Sequence, residues 1–455
     1  MTRRHSWAGG APGASRLPRW FIDGMAEYLS HGPVDPDTAM WVRDAVARTA
    51  LPDLSDLGRR AFSPSRWGEA FWAYVAGRWG DEVVGDLLRT AAASGDVRGA
   101  LERELNLTPG HLVADWQQAL RAQEEPILQA TEPVGAYRRL LVEPDGAEPG
   151  LSVSPSISPD GRRFVYLSRR SPLSVDLYLG DATTGKRLRR LTSLSLDPRI
   201  SSRESAASAG SWAPDNRHVV LADVQHGEPE LVIIDIDRNR VEERIPFPSL
   251  GSILGPAWSP DGGTIAFAAM ADGVSNLYLY TLADRRLRRL THDPFGAVEP
   301  AWSPDGRTIA FVTDRGSSRL EDLDFGRYEL ALVDVATSRV TPLPTFAAGK
   351  SIDPQWSADG RSVLFVSDRD GVSNVYRVQL AGGRLTQLTD LQTGVTGLTP
   401  LSAAISVAWQ QPRLLFSAFQ EGGNVVLRLD GAAALAGRTP DGRVARLEAG
   451  RLPPR

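Results

Sequence analysis

One short motif recurs along the C-terminal part of the chain and constrains its fold more than any other feature. The motif is Trp-Ser-Pro-Asp-Gly followed by a strand in which apolar residues alternate. Its five recognisable copies and one degenerate copy are ISPDGRRFVYLS (157–168), WAPDNRHVVLAD (212–223), WSPDGGTIAFAA (258–269), WSPDGRTIAFVT (302–313), WSADGRSVLFVS (356–367) and WQQPRLLFSAF (409–419). The first positions of successive copies lie 55, 46, 44, 54 and 53 residues apart. This part of the chain is therefore a series of six similar units.

Periods of about 40–55 residues that contain several short strands are typical of β-propellers. A four-stranded blade cannot bury both of its faces alone, so blades stack around an axis. Six copies predict six blades, which we place at residues 137–430. We expect the tryptophans of the motif to pack between adjacent blades as core anchors, together with Ile157 at the same position of the first copy. These tryptophans are Trp212, Trp258, Trp302, Trp356 and Trp409.

The Pro-Asp-Gly part of the motif predicts a tight turn between the innermost strand of a blade and the second strand. Proline restricts φ at one corner, glycine tolerates a positive φ, and aspartate accepts hydrogen bonds from the local backbone. We therefore assign the motif aspartates a structural role in the repeat. They are Asp160, Asp215, Asp261, Asp305 and Asp359.

A closed ring needs one blade to borrow a strand from the other end of the ring, because this removes an exposed sheet edge. The run YRRLL at 137–141 precedes the first motif copy by about the interval at which RRLT precedes later copies. We expect this run to be the outer strand of the last blade. The segment GRVARLEAG at 442–450 is a competing candidate.

Before the repeats, the apolar residues from 17 to 122 follow the period of α-helices and do not alternate with period two. This pattern predicts an amphipathic helix entered through Pro18 and further helices at 36–48, 67–78, 81–93, 96–105 and 109–123. Thr108 before Pro109 is typical of a helix N-cap, and Gly95 of a helix end. The predicted fold class is thus multidomain, α followed by all-β. Its parts are a flexible leader at 1–16, a helical domain at 17–122, a linker at 123–136, the propeller at 137–430 and a C-terminal tail at 431–455.

The composition excludes several classes of function. The 455 residues include no cysteine, so disulfides, thiol nucleophiles and cysteine-ligated metals are excluded. A formal charge of −4 argues against nucleic acid as a partner. No apolar run approaches the ~20 residues of a transmembrane helix, and no apolar segment of a secretory signal follows the basic start. Gly-x-Ser-x-Gly does not occur, which argues against a serine peptidase of the prolyl-oligopeptidase type.

The repeats resemble those of the TolB-type PD40 (WD40-like) propeller family over roughly residues 137–430. The resemblance rests on WSPDG and the aliphatic-aromatic strand that follows it. It implies a disc with a central channel, and a protein or peptide partner bound at the propeller face or in the channel. It also implies a location in the periplasm or cell envelope of a bacterium.

The helical part carries a second resemblance. LPRWFIDGMAEYLS (17–30) looks like the W-x-x-E-G-x-A-E-Y helix of gluzincin metallopeptidases in the peptidase MA clan, and 71–89 and 101–120 fit the helical remainder of such domains. In that clan a His-Glu-x-x-His helix supplies two zinc ligands and a general base, and the Glu before Gly is the third ligand. The resemblance implies Asp23 as a metal ligand.

The sequence departs from this family in two ways. Asp23 stands where the family has the longer Glu, and no His-Glu-x-x-His is present, since none of the six histidines is followed by Glu. Without two zinc ligands and the general base, a thermolysin-like hydrolysis cannot proceed. We therefore expect no catalytic residue and no cofactor in this chain. Either the missing helix lies upstream of Met1, and a longer form is a zinc metallopeptidase, or the domain is a decayed structural remnant.

Asp23 and Glu27 lie at positions i and i+4 of the first predicted helix, with His31 one turn further. They form either a residual metal site or a solvated acidic face.

Two functions follow from the sequence. The first is a non-catalytic propeller protein that binds a protein or peptide. The alternative is a fragment of a zinc metallopeptidase whose propeller positions the substrate.

Overall fold

The computed structural model describes residues 16–58, 63–137, 140–142, 150–171, 174–192, 208–399, 401–440 and 452. The chain divides into two compact units, residues 1–131 with 443–455, and residues 132–442. The predicted fold class is confirmed, because helices make up the first unit and a six-bladed propeller the second. The leader up to residue 15 and the segment 442–450 lie outside the described residues.

The described part of the first unit is helical. Asp35, Asp96 and Thr108 each accept a hydrogen bond from a backbone N–H of the first turn that follows, which determines where three of the helices begin. Gly95, with φ 74°, ends the fourth helix. The predicted N-cap and helix end are thus confirmed. The helices are α1 Arg19–His31, α2 Pro36–Ala47, α3 Pro64–Trp79, α4 Glu82–Ser94, α5 Val97–Leu105 and α6 Pro109–Ala130.

The last of these helices runs farther than the sequence pattern indicates. α6 continues to Ala130, through the first residues of the segment assigned to a linker at 123–136, even though Pro126 interrupts its hydrogen bonding. Two buried side chains hold this last part in place. Glu124 lies 3.4 Å from the buried Arg43 of α2, and Ile127 packs into the interior. Tertiary contacts therefore outweigh the local effect of the proline. No helix in the described ranges is long and apolar enough to span a bilayer.

Aromatic side chains fill the core of the helical unit. Trp20 of α1 meets Phe71 of α3 edge to face with ring centroids 5.4 Å apart, and Phe71 meets Trp116 of α6 in the same way at 5.5 Å. The Trp72 indole N–H donates to the Phe21 carbonyl at 2.8 Å, so this buried polar atom is satisfied. Edge-to-face pairs stabilise a core beyond the apolar area that they bury.

In the described residues the second unit contains six four-stranded sheets, which confirms the predicted six blades. Neighbouring strands in every blade are antiparallel, and apolar side chains between blades form the cores. The first blade consists of β2 Leu151–Ile157, β3 Arg163–Ser171, β4 Ser174–Asp181 and β5 Arg187–Thr192, and the second of β6 Ser211–Trp212, β7 His218–Gln225, β8 Glu228–Asp235 and β9 Arg240–Pro246. The third blade consists of β10 Ile253–Trp258, β11 Thr264–Ala271, β12 Val274–Thr281 and β13 Arg286–Arg289, and the fourth of β14 Ala297–Trp302, β15 Thr308–Thr313, β16 Glu329–Asp334 and β17 Val340–Leu343. The fifth blade consists of β18 Ser351–Trp356, β19 Ser362–Ser367, β20 Asn374–Gln379 and β21 Leu385–Gln387, and the sixth of β22 Ile405–Val407, β23 Arg413–Gln420, β24 Gly423–Asp430 and β1 Leu140–Val142.

The sixth blade is built from both ends of the ring. β1 pairs antiparallel with β24, and Leu140 lies opposite Leu427. Just before β1, the Tyr137 hydroxyl accepts a hydrogen bond from the Asp390 N–H at 2.6 Å, and its ring packs against Phe416. The end of the predicted run, from Leu140 onward, therefore belongs to the closing strand, as predicted, while residues 138–139 lie outside the described residues. A short helix, α7 Ala432–Ala436, follows β24.

Four blades share one hydrogen-bonded turn between their first and second strands. In the fourth blade the Ser303 hydroxyl donates to Asp305 Oδ1 at 2.6 Å and accepts from the Thr308 N–H at 3.0 Å. Asp305 Oδ1 also accepts from the Arg307 N–H at 3.1 Å. The turn therefore satisfies its own polar groups without help from the rest of the blade. The same bonds recur in the turns of Ser158 and Asp160, Ser259 and Asp261, and Ser357 and Asp359.

Candidate binding site in the propeller channel

Four inner strands share an irregularity three residues before the first residue of the motif. At this position φ is positive, the strand pairing shifts register and a proline follows. A bulge of this kind directs a side chain out of the regular alternation of a strand. All four bulged residues line the central channel. They are Ser154, Gly255, Glu299 and Asp353, with φ of 53°, 55°, 54° and 53°.

The channel contains a cavity of about 250 Å³ that is lined by the inner strands of the blades. Much of its wall is apolar, including Pro155, Pro256, Pro300, Pro354, Leu254, Val298 and Ile352. Leu401 also lines the cavity and is 47 % exposed, so the cavity reaches solvent beside it. Sites that enclose a whole small ligand usually have ~300–1,000 Å³. This cavity is therefore suited to a side chain or a chain end.

The bulged positions make one sector of the channel acidic. Glu299 in the fourth blade accepts a hydrogen bond from the Asp353 N–H in the fifth blade at 2.6 Å. Asp353 in turn accepts from the N–H groups of Ala404 and Ile405 beside the sixth blade, both at 2.7 Å. The corresponding residues of the first and third blades, Ser154 and Gly255, carry no charge. The two carboxyl groups therefore connect three consecutive blades and place both acidic groups on one side of the channel.

Both carboxyl groups have a raised pKa. Burial, and then the charge of Asp353, raise the pKa of Glu299 to about 8. Burial raises the pKa of Asp353 to about 6, although its hydrogen bonds from Ala404 and Ile405 act in the opposite direction. Within the described residues neither carboxyl forms a salt bridge. The charge of Lys350 acts in the opposite direction on the pKa of Glu299, but Lys350 pairs with Asp368 at 3.7 Å. The channel thus holds two acidic groups that have no salt-bridge partner of their own in the described residues, a situation that favours a cationic ligand.

The tryptophans of the motif lie in the walls around this cavity. The indole N–H groups of Trp212, Trp302 and Trp356 donate at 2.9–3.0 Å to carbonyl groups of the preceding blade. Trp258 donates within its own blade, to the Gly262 carbonyl at 3.0 Å. Trp409, in the degenerate copy, is only half-buried. Asp215 differs from the other motif aspartates in contacting a histidine where they accept from a serine hydroxyl, since its carboxylate lies 2.5 Å from His218 Nδ1.

Sequence reasoning missed the two channel carboxyl groups. The four bulges are visible in the sequence as Ser-Pro-Ser-Ile, Gly-Pro-Ala-Trp, Glu-Pro-Ala-Trp and Asp-Pro-Gln-Trp. Aligning the repeats from three residues upstream of the motif would have shown that only the residue before proline changes its charge. Glu299 and Asp353 occupy that variable position.

The structure separates the metal ligands suggested by sequence. Asp23 is exposed on α1, whereas Glu27 and His31 approach each other, with 3.3 Å between Oε2 and Nδ1. A third residue that sequence reasoning missed, Glu69 of α3, joins them. In this group one ligand atom from each residue lies within 4.8 Å of the others. The group does not include Asp23.

Comparison with known sequences shows that part of the propeller is similar to TolB-like propellers. Residues 208–320 match the family model described as PD40, TolB beta propeller domain. The Tol-Pal system protein TolB of Bordetella pertussis is 32 % identical over 154 residues, which cover 34 % of this chain and 33 % of TolB. A 53-residue stretch is 42 % identical to the uncharacterized peptidase YuxL of Bacillus subtilis, covering 11 % of this chain and 8 % of YuxL. The chain thus spans about a third or less of these curated relatives.

Solved structures give similarity at lower identity. A structure assigned as TolB from Agrobacterium tumefaciens has a TM-score of 0.46 and 21 % identity, covering 64 % of this chain and 92 % of that one. TolB from Acinetobacter baumannii has a TM-score of 0.38 and 19 % identity, covering 62 % and 65 %. The second unit of this chain is a six-bladed propeller, and its residues 208–320 match the TolB-like PD40 repeat.

Proposed function

We propose that the propeller channel binds an extended segment of a partner protein or peptide, and that this segment places a basic group against Glu299 and Asp353. The observation that carries the proposal is the pair of carboxyl groups in an otherwise largely apolar cavity. In a site of low dielectric, a lysine, arginine or terminal amine beside them would favour their ionised forms and be attracted strongly. The cavity volume of about 250 Å³ suits one such group rather than a whole ligand.

In this proposal the chain acts by binding and has no catalytic residue of its own. Propellers are scaffolds with many functions, so the function has to be argued from the site. The similarity to Tol-Pal system proteins supports a role in the cell envelope of a bacterium and a protein as the partner. The alternative is that the chain is part of a zinc metallopeptidase, with the propeller presenting substrate. That alternative rests on the resemblance of α1 to the gluzincin helix.

The proposal can be tested by selecting linear peptides from a phage-displayed random library on the full chain. We expect enriched peptides to contain a lysine or arginine that is essential for binding. Replacing both carboxyl groups, as Glu299→Gln with Asp353→Asn, should weaken a selected peptide by about thirtyfold, or ~2 kcal/mol, since a buried charge pair loses one partner. The amide side chains keep an oxygen that accepts the backbone hydrogen bonds.

Two controls make the result specific. Glu321→Gln with Asp322→Asn removes the same charge from an exposed turn and should leave affinity unchanged. Because the cationic ligand prefers ionised carboxyl groups, wild-type affinity should increase as the pH rises from about 6 towards about 8, the two raised pKa values. Peptides without basic residues, or an affinity indifferent to the channel substitutions, would contradict the proposal. Cleavage of casein by the zinc-supplemented chain would support the peptidase alternative instead.

A further inference from the structure

Two glycines bring α1 and α3 into unusually close contact. A methyl group on Gly24 would fall well inside contact distance of the Gly68 backbone, and one on Gly68 would collide with the Trp20 carbonyl oxygen. Side chains close to this crossing are therefore forced together. Glu27 lies one turn beyond Gly24, His31 one turn further, and Glu69 directly follows Gly68.

These three residues present a compact set of possible metal ligands. His31 Nδ1 lies 3.3 Å from Glu27 Oε2 and 3.7 Å from Glu69 Oε1. Tetrahedral coordination with bonds of ~2.1 Å places ligand atoms about 3.4 Å apart. The two distances from His31 already match this spacing. All three ligand atoms lie within 4.8 Å of one another, so a small rotation of an exposed side chain would complete the geometry.

Glu69 supplies an independent indication of a ligand. Its side chain is fully buried, and Oε2 accepts a hydrogen bond from the Thr38 hydroxyl at 2.6 Å. Oε1 accepts no hydrogen bond from any residue that the structure describes, and it is directed towards His31. A buried carboxylate oxygen without a hydrogen bond is costly, and coordination of a cation is one of the ways in which proteins satisfy it. The hydrogen bond from Thr38 would keep the carboxylate in one orientation, as residues that hydrogen-bond to metal ligands commonly do.

The surroundings have an excess of negative charge. The nearest guanidinium, that of Arg66, lies 3.6 Å from Glu69 Oε2 but is shared with two other carboxylates. It forms ion pairs with Asp35, at 2.8 Å, and with Asp37. One positive side chain therefore faces four carboxyl groups when Glu27 and Glu69 are included, which favours binding of a divalent cation.

We propose that Glu27, His31 and Glu69 bind one divalent transition-metal ion of the zinc type. An imidazole with two carboxylates is a donor set that suits such an ion. Glu27 and His31 are 37 % and 49 % exposed, so the ion would keep at least one position open to water. The site differs from the one that the gluzincin resemblance implies, because exposed Asp23 takes no part. It is also independent of the peptide-binding function proposed for the propeller.

The experiment uses the metal-free full chain without an affinity tag. Calorimetric titration with ZnCl₂ should give one ion per chain, and CoCl₂ should give the intense visible absorption of a four-coordinate site. His31→Ala, a change at a half-exposed position, should weaken zinc binding by about tenfold or more, at least as much as loss of a supporting residue does. Glu69→Gln should weaken it similarly while keeping the acceptor for Thr38.

Matched controls separate this site from two others. Asp23→Asn removes an acid from the same helix and should change the zinc affinity by less than twofold. His218→Ala tests the second group of possible ligands, which is His218, Asp235 and Glu242 in the propeller, and should also have no effect. Zinc should raise the unfolding temperature of wild type but not of His31→Ala. The absence of stoichiometric binding, or equal loss in Asp23→Asn or His218→Ala, would overturn the proposal.

Discussion

The pKa values of the turn aspartates in the propeller and of two buried glutamates in the helical unit are shifted in opposite directions. In the propeller, most motif aspartates lie at the surface in turns, where a serine hydroxyl and backbone N–H groups lower the pKa of Asp261, Asp305 and Asp359. In the helical unit, burial raises the pKa of Glu69 and Glu124 to about 8. The propeller repeats one hydrogen-bonded turn, whereas the described part of the helical unit contains buried acidic residues that each have their own, unrepeated contacts.

This difference suggests how each unit tolerates change. The sixth copy of the motif, WQQPR, lacks serine, aspartate and glycine, yet the sixth blade still forms with β1 as its outer strand. A blade can therefore form without the motif turn, because contacts with the adjacent blades stabilise it. Among the described residues of the helical unit, the crossing of α1 and α3 at Gly24 and Gly68 has no second copy.

The largest effect is expected at a tryptophan between blades. Trp302 is buried among side chains of the third and fourth blades and donates to the Ala257 carbonyl. Trp302→Ala should destabilise the protein by about 3–5 kcal/mol, because it leaves a large cavity. The same change at half-buried Trp409 should cost only about 1 kcal/mol. The free energy of unfolding of both variants can be measured by urea denaturation, with hydrogen exchange of propeller peptides as the readout. Equal costs would show that blade packing does not depend on this position.

The helix crossing should be almost as sensitive to a single methyl group. Gly24→Ala should destabilise the helical unit by about 3 kcal/mol, since the overlap is with backbone that cannot move aside. Gly110→Ala in α6 is the matched control, because its new methyl group meets nothing within 4 Å. Alanine there should be neutral or stabilising by up to ~1 kcal/mol. Hydrogen exchange of α1 and α3 peptides measures the stability of the helical unit in each variant. Similar exchange rates in Gly24→Ala and Gly110→Ala would contradict the close crossing of the two helices.

The stability contributions of Glu124 in the helical unit and of the turn aspartates in the propeller should respond to pH in opposite directions. For Glu124, burial raises the folded-state pKa from 4.5 to about 8, so the folded unit holds a proton that the unfolded chain has released in this range. Its contribution is therefore greatest below pH 4.5 and is lost as the pH rises through about 8. For the turn aspartates, the lowered pKa gives a contribution that is present above about 3.8 and is lost as the pH falls below it.

Urea denaturation at several pH values, with peptides of each unit followed separately, measures this contrast. Glu124→Gln should flatten the decline of helical-unit stability between pH 5.5 and 8.5 and leave the propeller unchanged. If Glu124→Gln leaves the pH dependence of helical-unit stability unchanged over this range, Glu124 is ionised beside Arg43 in the folded protein.

The sequence predicted the repeated part of the molecule better than the rest. Six motif copies led to six blades, and the run at 137–141 to the closing strand, because periodic patterns report directly on repeated structure. Glu299 and Asp353 were missed because their position reads as ordinary strand, and only the bulges with positive φ turn them into the channel. Glu69 was missed because it meets His31 only through the crossing of α1 and α3, which spacing along the chain does not reveal.

The smallest effect is expected at one turn of the propeller. Asp305→Ala removes the hydrogen bonds from Ser303 and the Arg307 N–H, but the side chain is exposed and water can replace it. The cost should be about 1 kcal/mol, the usual net value of such bonds. Gln411 lies in the degenerate sixth copy, and its side-chain amide donates to the Asp160 carbonyl of the first blade at 2.7 Å. Gln411→Ala should therefore cost a similar amount, although its turn lacks the motif. Thermal unfolding of the two variants compares them. If Asp305→Ala alone lowered the free energy of unfolding by several kcal/mol, each turn would be needed individually, and the other blades could not compensate for the loss of one turn.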